Sequence, residues 1–375
     1  MEYVLWSLGA LALLFVLAEL TLRAAIRKWG RYYPFTPHQR QRFELDREAL
    51  PMMERVVRWR INADGERGDE CPPEAARVLV VGGSCVECYY LDQESTVSHQ
   101  LQGELAQRWS VAAGRGVHVG SFGKSKINCG QIRFMLEKAL AGYPRLDAVV
   151  LMVGASDLVR WLELGTPEDD WADPAEIGHL FGQHPELDFG WRPGRLALRA
   201  ALVRLVRKLR QPEERRANVG KRLVELRQRR FNAEPKQSSV PDLGPMLDRF
   251  DRNLGRLIEE LKQRADRVIV SRQPWLDCEL TEDQERWMWN YATGPIYSRS
   301  DVEYFDRDLV NRMQRAVAER CGEVARRHGA VDVDMPELLD STLDNYYDEN
   351  HFTPLGAKRV ATLLADAVVA AEPIG

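Results

Sequence analysis

One serine stands where a nucleophile would be held in place. Ser84 follows the apolar run Val78–Val81 and the pair Gly82-Gly83, so a strand is expected to end in a tight turn at the start of a helix. The strand would hold the hydroxyl rigidly, and the free N–H groups of the helix start would face a developing anion. An ordinary turn from strand to helix is the alternative interpretation of this segment.

An acid and a base lie three residues apart near the other end of the chain. A serine hydroxyl becomes a nucleophile when an imidazole takes its proton and a carboxylate orients that imidazole. Among the seven histidines, only His351 has an aspartate, Asp348, three residues upstream in a loop that leads into a helix. Thr353 as N-cap and Pro354 as first helical residue predict that this helix begins just after the histidine. With Ser84, these residues predict a Ser-His-Asp triad.

Short apolar runs alternate with amphipathic stretches along most of the chain. The predicted strands are Val78–Val81, Val117–Val119, Ala148–Val153, Val268–Ser271 and Val331–Val333, and the predicted helices are Val97–Trp109, Gly130–Ala141, Leu247–Ala265, Asp308–His328 and Pro354–Ala371. This alternation is typical of an α/β fold, in which helices cover both faces of a parallel sheet. Ligands bind beyond the carboxyl ends of such strands. Ser84, Gly123 and Gly154 each follow a predicted strand and are expected to meet at one edge.

Four short motifs resemble those of the SGNH hydrolases, also called the GDSL esterase/lipase family. They are Gly82-Gly83-Ser84, the segment 117–125 with Gly123, Gly154-Ala155-Ser156-Asp157, and Asp348-Glu349-Asn350-His351. The motifs occur in the family's order, and the similarity covers residues 77–371 apart from 161–245. The resemblance implies a three-layer α/β/α sandwich with a parallel, flavodoxin-like sheet. It also implies that Ser84, His351 and Asp348 are the catalytic residues.

The resemblance places an oxyanion hole at the backbone N–H groups of Ser84 and Gly123 and at the side chain of residue 156. Here the chain departs from the family, because Ser156 replaces an asparagine. A serine hydroxyl is shorter and must rotate to donate, and loss of one such donor typically lowers turnover by about 100- to 1000-fold. Either Ser156 substitutes for the asparagine, another group such as Asn128 supplies the hydrogen bond, or the activity is low.

The activity implied by the resemblance is that of a serine esterase without a cofactor. Its substrates would be O-acyl esters, foremost O-acetyl esters, of a carbohydrate or a lipid. Two alternatives stay open. One is an O-acyltransferase of the same fold that modifies a polysaccharide, and the other is a catalytically weakened, membrane-tethered binding protein, which the serine at position 156 favours.

Composition limits the classes of protein to be considered. A chain of 375 residues that is 45% hydrophobic can form one large domain, with or without an insertion. The net charge of −4 gives no indication of a nucleic-acid partner. Cys85 and Cys88 form a CxxC pair without a second pair at zinc-site spacing, so we expect small buried residues and no metal site. Cys85 is a rival nucleophile, which we discount because its side chain is expected to point away from the edge that Ser84 faces.

The N-terminal segment, residues 1–31, is predicted to be an uncleaved membrane anchor. The run Tyr3–Leu22 matches the thickness of a bilayer, has Glu19 as its only charged residue, and lacks a basic leader and a small-residue cleavage site. A buried core helix is the alternative. The stretch Glu19–Arg23 also resembles the end of the anchor helix in membrane-anchored members of the family. The lipid bilayer is therefore an expected partner.

The side of the membrane stays open. Arg23, Arg27, Lys28 and Arg31 follow the apolar run, and by the positive-inside rule they place the body of the protein in the cytoplasm. Six cysteines without a disulfide pattern agree with a reducing compartment. The family resemblance instead implies an extracytoplasmic domain.

Two further regions are assigned by composition. Residues 32–76 are expected to be an irregular approach segment with a short strand at 56–60, before the main domain at 77–375. Residues 161–245 are expected to be a helical insertion, with aromatic residues followed by the basic stretch Gly194–Leu209 and the charged run Glu213–Arg230. The basic stretch could lie on an anionic lipid surface, or its leucines could pack on the domain. The aromatic residues between 275 and 304 are interpreted as core packing, with a substrate platform as the alternative.

Overall fold

The apolar runs that predict strands form the central sheet of the molecule. The computed structural model describes residues 1–112, 114–164, 174–185, 196–234, 236–298 and 301–371. The strands of the central sheet are β3 (Ala76–Gly82), β4 (Val117–Gly123), β5 (Ala148–Val153), β7 (Val268–Arg272) and β10 (Val331–Val333). They are parallel and lie in the order β10-β7-β5-β3-β4. Each contains a run that the sequence predicts.

Helices cover both faces of this sheet. Those that pack on it or beside it are α3 (Val97–Arg108), α4 (Cys129–Ala139), α5 (Ala155–Leu164), α9 (Gly244–Lys262), α11 (Arg307–Arg327) and α13 (Pro354–Ala370). Successive β3 side chains point to opposite faces, because Val78 and Val80 belong to the core with α3 and α13, whereas Leu79 and Val81 belong to the core with the other four helices. The predicted three-layer α/β/α sandwich with a parallel sheet is confirmed.

The register of the central strands brings their carboxyl ends to one level. Gly82, the last residue of β3, pairs with Gly123 of β4 and with Met152 of β5. The segments that follow these strands therefore begin side by side. This is the edge at which a parallel sheet presents its ligand site.

A second, smaller sheet joins two regions that the sequence analysis treats separately. It consists of β1 (Arg40–Leu45), β2 (Val56–Arg60) and β6 (Glu213–Val219), with β1 in the middle, antiparallel to β2 and parallel to β6. Only β2 is predicted. The approach segment is thus partly a sheet, and the insertion is not purely helical. The β6 side chains are almost all exposed, so backbone pairing defines this strand and no apolar alternation could reveal it.

The insertion also contains helices that the structure places around the domain. They are α6 (Pro174–Leu180), α7 (Ala197–Arg210) and α8 (Arg222–Phe231). Of its aromatic residues, Trp161 and Phe181 are buried in the core, whereas Trp171, Phe189 and Trp191 lie outside the described residues. Helix α7 matches the basic stretch of the sequence.

One long helix leads into the domain. Helix α1 (Glu2–Trp29) is, within the described ranges, the one helix long and apolar enough to cross a bilayer, by length and composition. Most of its side chains are exposed, and Glu19 and Ile26 are buried. An apolar helix exposed on nearly all sides does not fit the interpretation as a core helix.

Several short elements complete the fold. Helix α2 (Ser84–Glu87) follows β3, and the chain after β7 contains α10 (Glu282–Glu285), β8 (Ala292–Thr293), β9 (Glu303–Tyr304) and, after β10, α12 (Met335–Leu338). Trp275, Tyr291 and Tyr304 are buried in this part of the molecule, as core packing predicts. Trp289 and Tyr297 also line a cavity and are considered below.

Candidate active site

Ser84 is the first residue of helix α2, directly after the turn that ends β3. Gly83 leaves room for a side chain of helix α5: a Cβ on Gly83 would lie 2.2 Å from Ser156 Oγ. The strand–turn–helix arrangement that the sequence predicts is present. It brings the serines of the first and third motifs together.

The loop before α13 places an imidazole beside a carboxylate. Asp348 Oδ1 accepts hydrogen bonds from the backbone N–H groups of Asn350 and His351, at 3.0 and 2.9 Å. The His351 Nδ1 atom lies 2.8 Å from the same oxygen. Thr353 caps α13 through a hydrogen bond from Gly356 N, as its predicted N-cap role requires. The loop is thus folded around the aspartate.

Ser84, His351 and Asp348 form a continuous hydrogen-bonded chain. His351 Nε2 lies 2.8 Å from Ser84 Oγ, although the two residues are 267 positions apart in the sequence. Because Nδ1 faces a carboxylate, the neutral ring carries its proton there and offers Nε2 to the serine hydroxyl. The geometry allows a proton to move from Ser84 to His351 when the serine attacks an electrophile.

Electrostatics favour the ionised aspartate and the protonated histidine. Burial is the largest influence on both groups and opposes their charged forms, yet it is outweighed by their mutual attraction and hydrogen bonds. The pKa of His351 is therefore raised above its ordinary value, and the pKa of Asp348 is lowered. An imidazole with a raised pKa is a stronger base toward the serine proton.

Trp289 is a member of this site that the sequence analysis assigns to core packing. Its Nε1–H donates to Asp348 Oδ2 at 2.7 Å, and its ring stacks on His351 with centroids 6.2 Å apart. Tyr347 stacks on His351 as well, at 5.4 Å. Glu349 holds the tryptophan in place, since its Oε1 accepts from the backbone N–H groups of Trp289 and Asn290. In the sequence, the concentration of aromatic residues between 275 and 304 is the one feature that points to Trp289.

We expect Trp289→Phe to lower kcat for an acyl ester about tenfold, because it removes one hydrogen bond to a buried carboxylate and keeps a stacking ring. Steady-state kinetics measure this change. Trp275→Phe is the matched control, because Trp275 is equally buried and its Nε1 makes no hydrogen bond within the described residues. Equal losses in the two variants would show that the effect comes from packing alone.

Two buried side chains fix helix α2 relative to its surroundings. Arg67 donates to the carbonyls of Glu87, Cys88 and Leu91 at 2.5–2.7 Å, which caps the end of the helix opposite the serine. Burial lowers the pKa of this guanidinium to about 10. The Cys85 thiol donates to Asn350 O at 3.2 Å and so joins the serine helix to the histidine loop. Neither contact has a signature in the sequence.

Cys85 does not compete with Ser84 in this geometry. Its thiol is buried and hydrogen-bonded to a carbonyl, and burial raises its pKa well above the usual range. A thiol of this kind is a poor nucleophile because the thiolate is the reactive form. All six cysteines are free, and Cys85 and Cys88 are both buried.

The Gly123 N–H, which the resemblance places in the oxyanion hole, has a hydrogen-bond partner within the protein. Gly123 N–H donates to Ser121 Oγ at 3.3 Å, and Gly123 is not among the residues that line the cavity. A Cβ at this position would lie 2.1 Å from Glu87 N, so the glycine lets β4 pack against helix α2. Its identity is thus explained by close packing.

Asn128 is also engaged elsewhere. Its side chain accepts from Gln131 N at 2.8 Å, as the N-cap of α4, and it does not line the cavity. This contact uses the amide oxygen and holds the side chain at the start of α4, so the structure gives no support to Asn128 as the oxyanion donor. Ser156 does line the cavity, beside Gly83 and Ser84. Its hydroxyl lies close to the Gly83 turn that precedes the nucleophile.

Asp157, the last residue of the third motif, ties two of the site's helices together. Its Oδ1 accepts from the backbone N–H of Cys129, the first residue of α4, at 2.9 Å. The carboxylate thus holds the start of α4 against the start of α5. Burial raises its pKa to about 6. Within the described residues it makes no hydrogen bond to Ser84, His351 or Asp348, so we expect it to act on the site through these helices.

Ser84 and His351 line a cavity of about 390 Å³, whereas Asp348 is buried behind the histidine. Aromatic residues form much of its wall: Tyr89, Tyr90, Trp289, Tyr297 and Tyr347. Polar groups include Glu87 and Lys126, and Lys126 Nζ lies 2.6 Å from Glu163 and 4.4 Å from the Tyr297 ring centre. His179 and Leu223, from the insertion, complete the lining. In the part of the chain described here, no group of three or more His, Cys, Asp and Glu side chains is arranged to hold a metal ion.

Comparisons with known proteins find similarity at the level of structure. No family model matches the chain, and no curated protein matches it by sequence. Axe2, an acetylxylan esterase from Geobacillus stearothermophilus, is 12% identical, with a TM-score of 0.43 over 78% of this chain and 94% of that one. LAE5, an α/β hydrolase enzyme from the metagenome of Lake Arreo, is 13% identical, with a TM-score of 0.42 over 79% and 97%.

A third solved structure is similar over much the same share of the chain. It is a GDSL-like lipase from Parabacteroides merdae, 10% identical, with a TM-score of 0.43 over 79% of this chain and 96% of that one. With TM-scores of 0.42–0.43, the three matches are similarities alone and say nothing of this chain's substrate or activity.

Proposed function

We propose that the chain is a membrane-anchored serine esterase that hydrolyses O-acyl esters. One observation carries the proposal: Ser84 Oγ, His351 and Asp348 form a hydrogen-bonded chain that ends in a cavity at the carboxyl edge of the sheet. This arrangement performs acyl transfer on several unrelated folds. The intact proton path supports catalysis over the alternative of a protein that only binds.

The reaction proceeds through an acyl-enzyme. As Ser84 Oγ bonds to the ester carbonyl carbon, its proton moves to His351 Nε2, and the carbonyl oxygen becomes an oxyanion. His351 then gives that proton to the departing alcohol as the ester C–O bond breaks. Water, deprotonated by His351, then attacks the acyl-enzyme, and as the acyl C–O bond to Ser84 breaks, His351 returns this proton to Ser84 Oγ and the carboxylic acid leaves. Asp348 holds the ring in the required tautomer and stabilises its cation.

The oxyanion is stabilised at the start of helix α2. The Ser84 N–H belongs to the first turn of this helix, where N–H groups have no intrahelical acceptor. The Ser156 hydroxyl lies beside it and takes the place of the usual amide. Gly123 N–H is already bonded to Ser121, so the hole relies on Ser84 and Ser156.

A small acyl group on a larger alcohol suits the cavity. Tyr90, Trp289 and Tyr297 present aromatic surface on which a sugar ring or an acyl chain can pack. An acetyl ester of a carbohydrate or a lipid is therefore the proposed substrate class. Transfer of the acyl group to a sugar hydroxyl, in place of water, would use the same acyl-enzyme and is an outcome of the test below.

The anchor is part of the proposal, because helix α1 is hydrogen-bonded to the start of helix α7. Glu19 Oε1 and Oε2 accept from the backbone N–H groups of Ala197 and Leu198, at 2.8 and 2.9 Å. A signal sequence that is removed would take this contact with it. A C-terminal phosphatase or fluorescent reporter determines the side of the membrane on which the domain lies.

The proposal is tested on the full-length protein in detergent or nanodiscs. We expect hydrolysis of p-nitrophenyl acetate and stoichiometric labelling by a fluorophosphonate, with the label on Ser84 by peptide mass spectrometry. Labelling of Ser84 without hydrolysis, together with acetyl groups appearing on an added oligosaccharide, would indicate a transferase. Absence of both labelling and turnover would refute the catalytic proposal.

We expect Ser156→Ala to lower kcat about 100-fold with little change in KM, because the hydroxyl serves the oxyanion and not the bound ester. Ser125→Ala is the matched control, since Ser125 also lines the cavity but its hydroxyl is bonded to Glu87. If Ser156→Ala turns over at the wild-type rate, backbone N–H groups alone hold the oxyanion.

A further inference from the structure

Helix α7, in the insertion, is strongly two-sided. Leu198, Leu202, Leu205 and Leu209 follow one another at helical spacing and form an apolar stripe on one side, which we call the leucine face. Five basic residues occupy the rest of the helix: Arg199, Arg204, Arg207, Lys208 and Arg210. The helix contains no acidic residue. Its composition is that of helices that lie in a membrane interface.

The leucine face does not pack on the domain. Leu202 is 60% exposed, Leu205 is 52% exposed and Leu209 is 73% exposed. Only Ala197, at the start of the helix, is buried. The interpretation in which these leucines attach the helix to its own domain is therefore wrong. Exposed apolar patches of this kind mark a surface that binds something else.

The position of helix α7 relative to helix α1 indicates what the leucine face binds. Its first two N–H groups are bonded to Glu19 of helix α1, and Glu19 lies in the last turns of the apolar run Tyr3–Leu22. Since a helix rises about 1.5 Å per residue, the start of α7 lies within about 5 Å of the end of that run. Helix α7 therefore begins at the depth where hydrocarbon gives way to headgroups.

We propose that α7 lies on the surface of the membrane that α1 crosses, with the leucine face in the acyl-chain boundary and its basic residues at anionic headgroups. This inference rests on the anchoring part of the proposed function. Apolar insertion and attraction of arginines to anionic lipid act together on a helix of this kind. The chain would then contact the bilayer at two places, through α1 and through α7. Two points of contact would hold the cavity at a constant distance from the bilayer.

The test measures the depth of spin labels on the full chain in nanodiscs. Leu205→Cys and Arg207→Cys place the label on opposite sides of α7, since two residues span about 200° of a helix. The two cysteines that are not buried, Cys71 and Cys278, are first changed to serine. We expect oxygen to broaden the Leu205 label and a water-soluble nickel chelate to broaden the Arg207 label. Discs of phosphatidylcholine with phosphatidylglycerol should give a larger contrast than phosphatidylcholine alone.

Three outcomes are informative besides the expected one. Equal access of the nickel chelate to both labels would overturn the inference. Spin–spin broadening at Leu205 would also overturn it, since the leucine face would then be covered by a second copy. A label at Leu13 in α1 tests the anchor: if it is not in lipid, the anchor fails, and this inference with it. Hydrolysis of p-nitrophenyl acetate by each labelled variant reports separately on folding and on the proposed chemistry.

Discussion

Ser84→Ala is expected to lower kcat for p-nitrophenyl acetate by about a million-fold, the scale seen when a triad nucleophile is removed. Alanine keeps the short helix and removes only the hydroxyl that lies 2.8 Å from His351 Nε2. No acyl-enzyme can form, so the covalent path disappears. Burst kinetics and fluorophosphonate labelling should both be lost, while the thermal unfolding midpoint stays near that of the wild type.

Cys85→Ser is the control for this variant. The neighbouring thiol is the only other thiol or hydroxyl in the short helix, and a serine at this position can still donate to Asn350 O. We expect most of the activity to remain. The reverse pattern, an active Ser84→Ala and an inactive Cys85→Ser, would move the nucleophile to the cysteine.

The residues that the sequence predicts most successfully are those placed by their own local element. Ser84 follows a β-branched run and two glycines, and His351 precedes the N-cap Thr353. Each pattern predicts where a strand or helix begins or ends, and a parallel sheet brings such ends to one edge. Two residues 267 positions apart could therefore be expected to meet, and they do.

The parts that could not be predicted depend on contacts between distant segments. Trp289 belongs to an aromatic-rich stretch whose composition is compatible with core packing as well as with a functional site. The hydrogen bond from its indole N–H to Asp348 is visible only in the folded chain. Asn128 looks available in the sequence and is used as a helix cap. Strand β6 has exposed, charged side chains and forms through backbone pairing with β1. Periodicity and residue type carry no information on such pairings.

Asp348→Asn is expected to lower kcat about 10,000-fold while the fold is kept. The asparagine Nδ2 would face His351 Nδ1 in place of one carboxylate oxygen, which favours the tautomer with its proton on Nε2. That tautomer cannot accept the Ser84 proton. The cation formed during attack also loses the negative charge that stabilises it. Single-turnover acylation measures the loss directly.

The pH dependence of kcat/KM tests the effect of the Asp348 charge independently. The base acts only when neutral, so kcat/KM of the wild type rises with pH through the pKa of His351, which is raised above its ordinary value of about 6.5. Asp348 is the main favourable cause of that elevation, acting against burial. Asp348→Asn removes it, and the ascending limb of the residual kcat/KM should move to lower pH.

Glu349→Gln separates charge from ring orientation. The Glu349 carboxylate also raises the pKa of His351, but its Oε1 bonds to the N–H groups of Trp289 and Asn290 and not to the ring. Glutamine can accept the same two hydrogen bonds. We expect kcat within about tenfold of the wild type, with a smaller shift of the limb in the same direction. Two results would contradict the role assigned to Asp348. One is an ascending limb of kcat/KM that does not shift in Asp348→Asn, and the other is a loss of kcat in Glu349→Gln as large as that in Asp348→Asn.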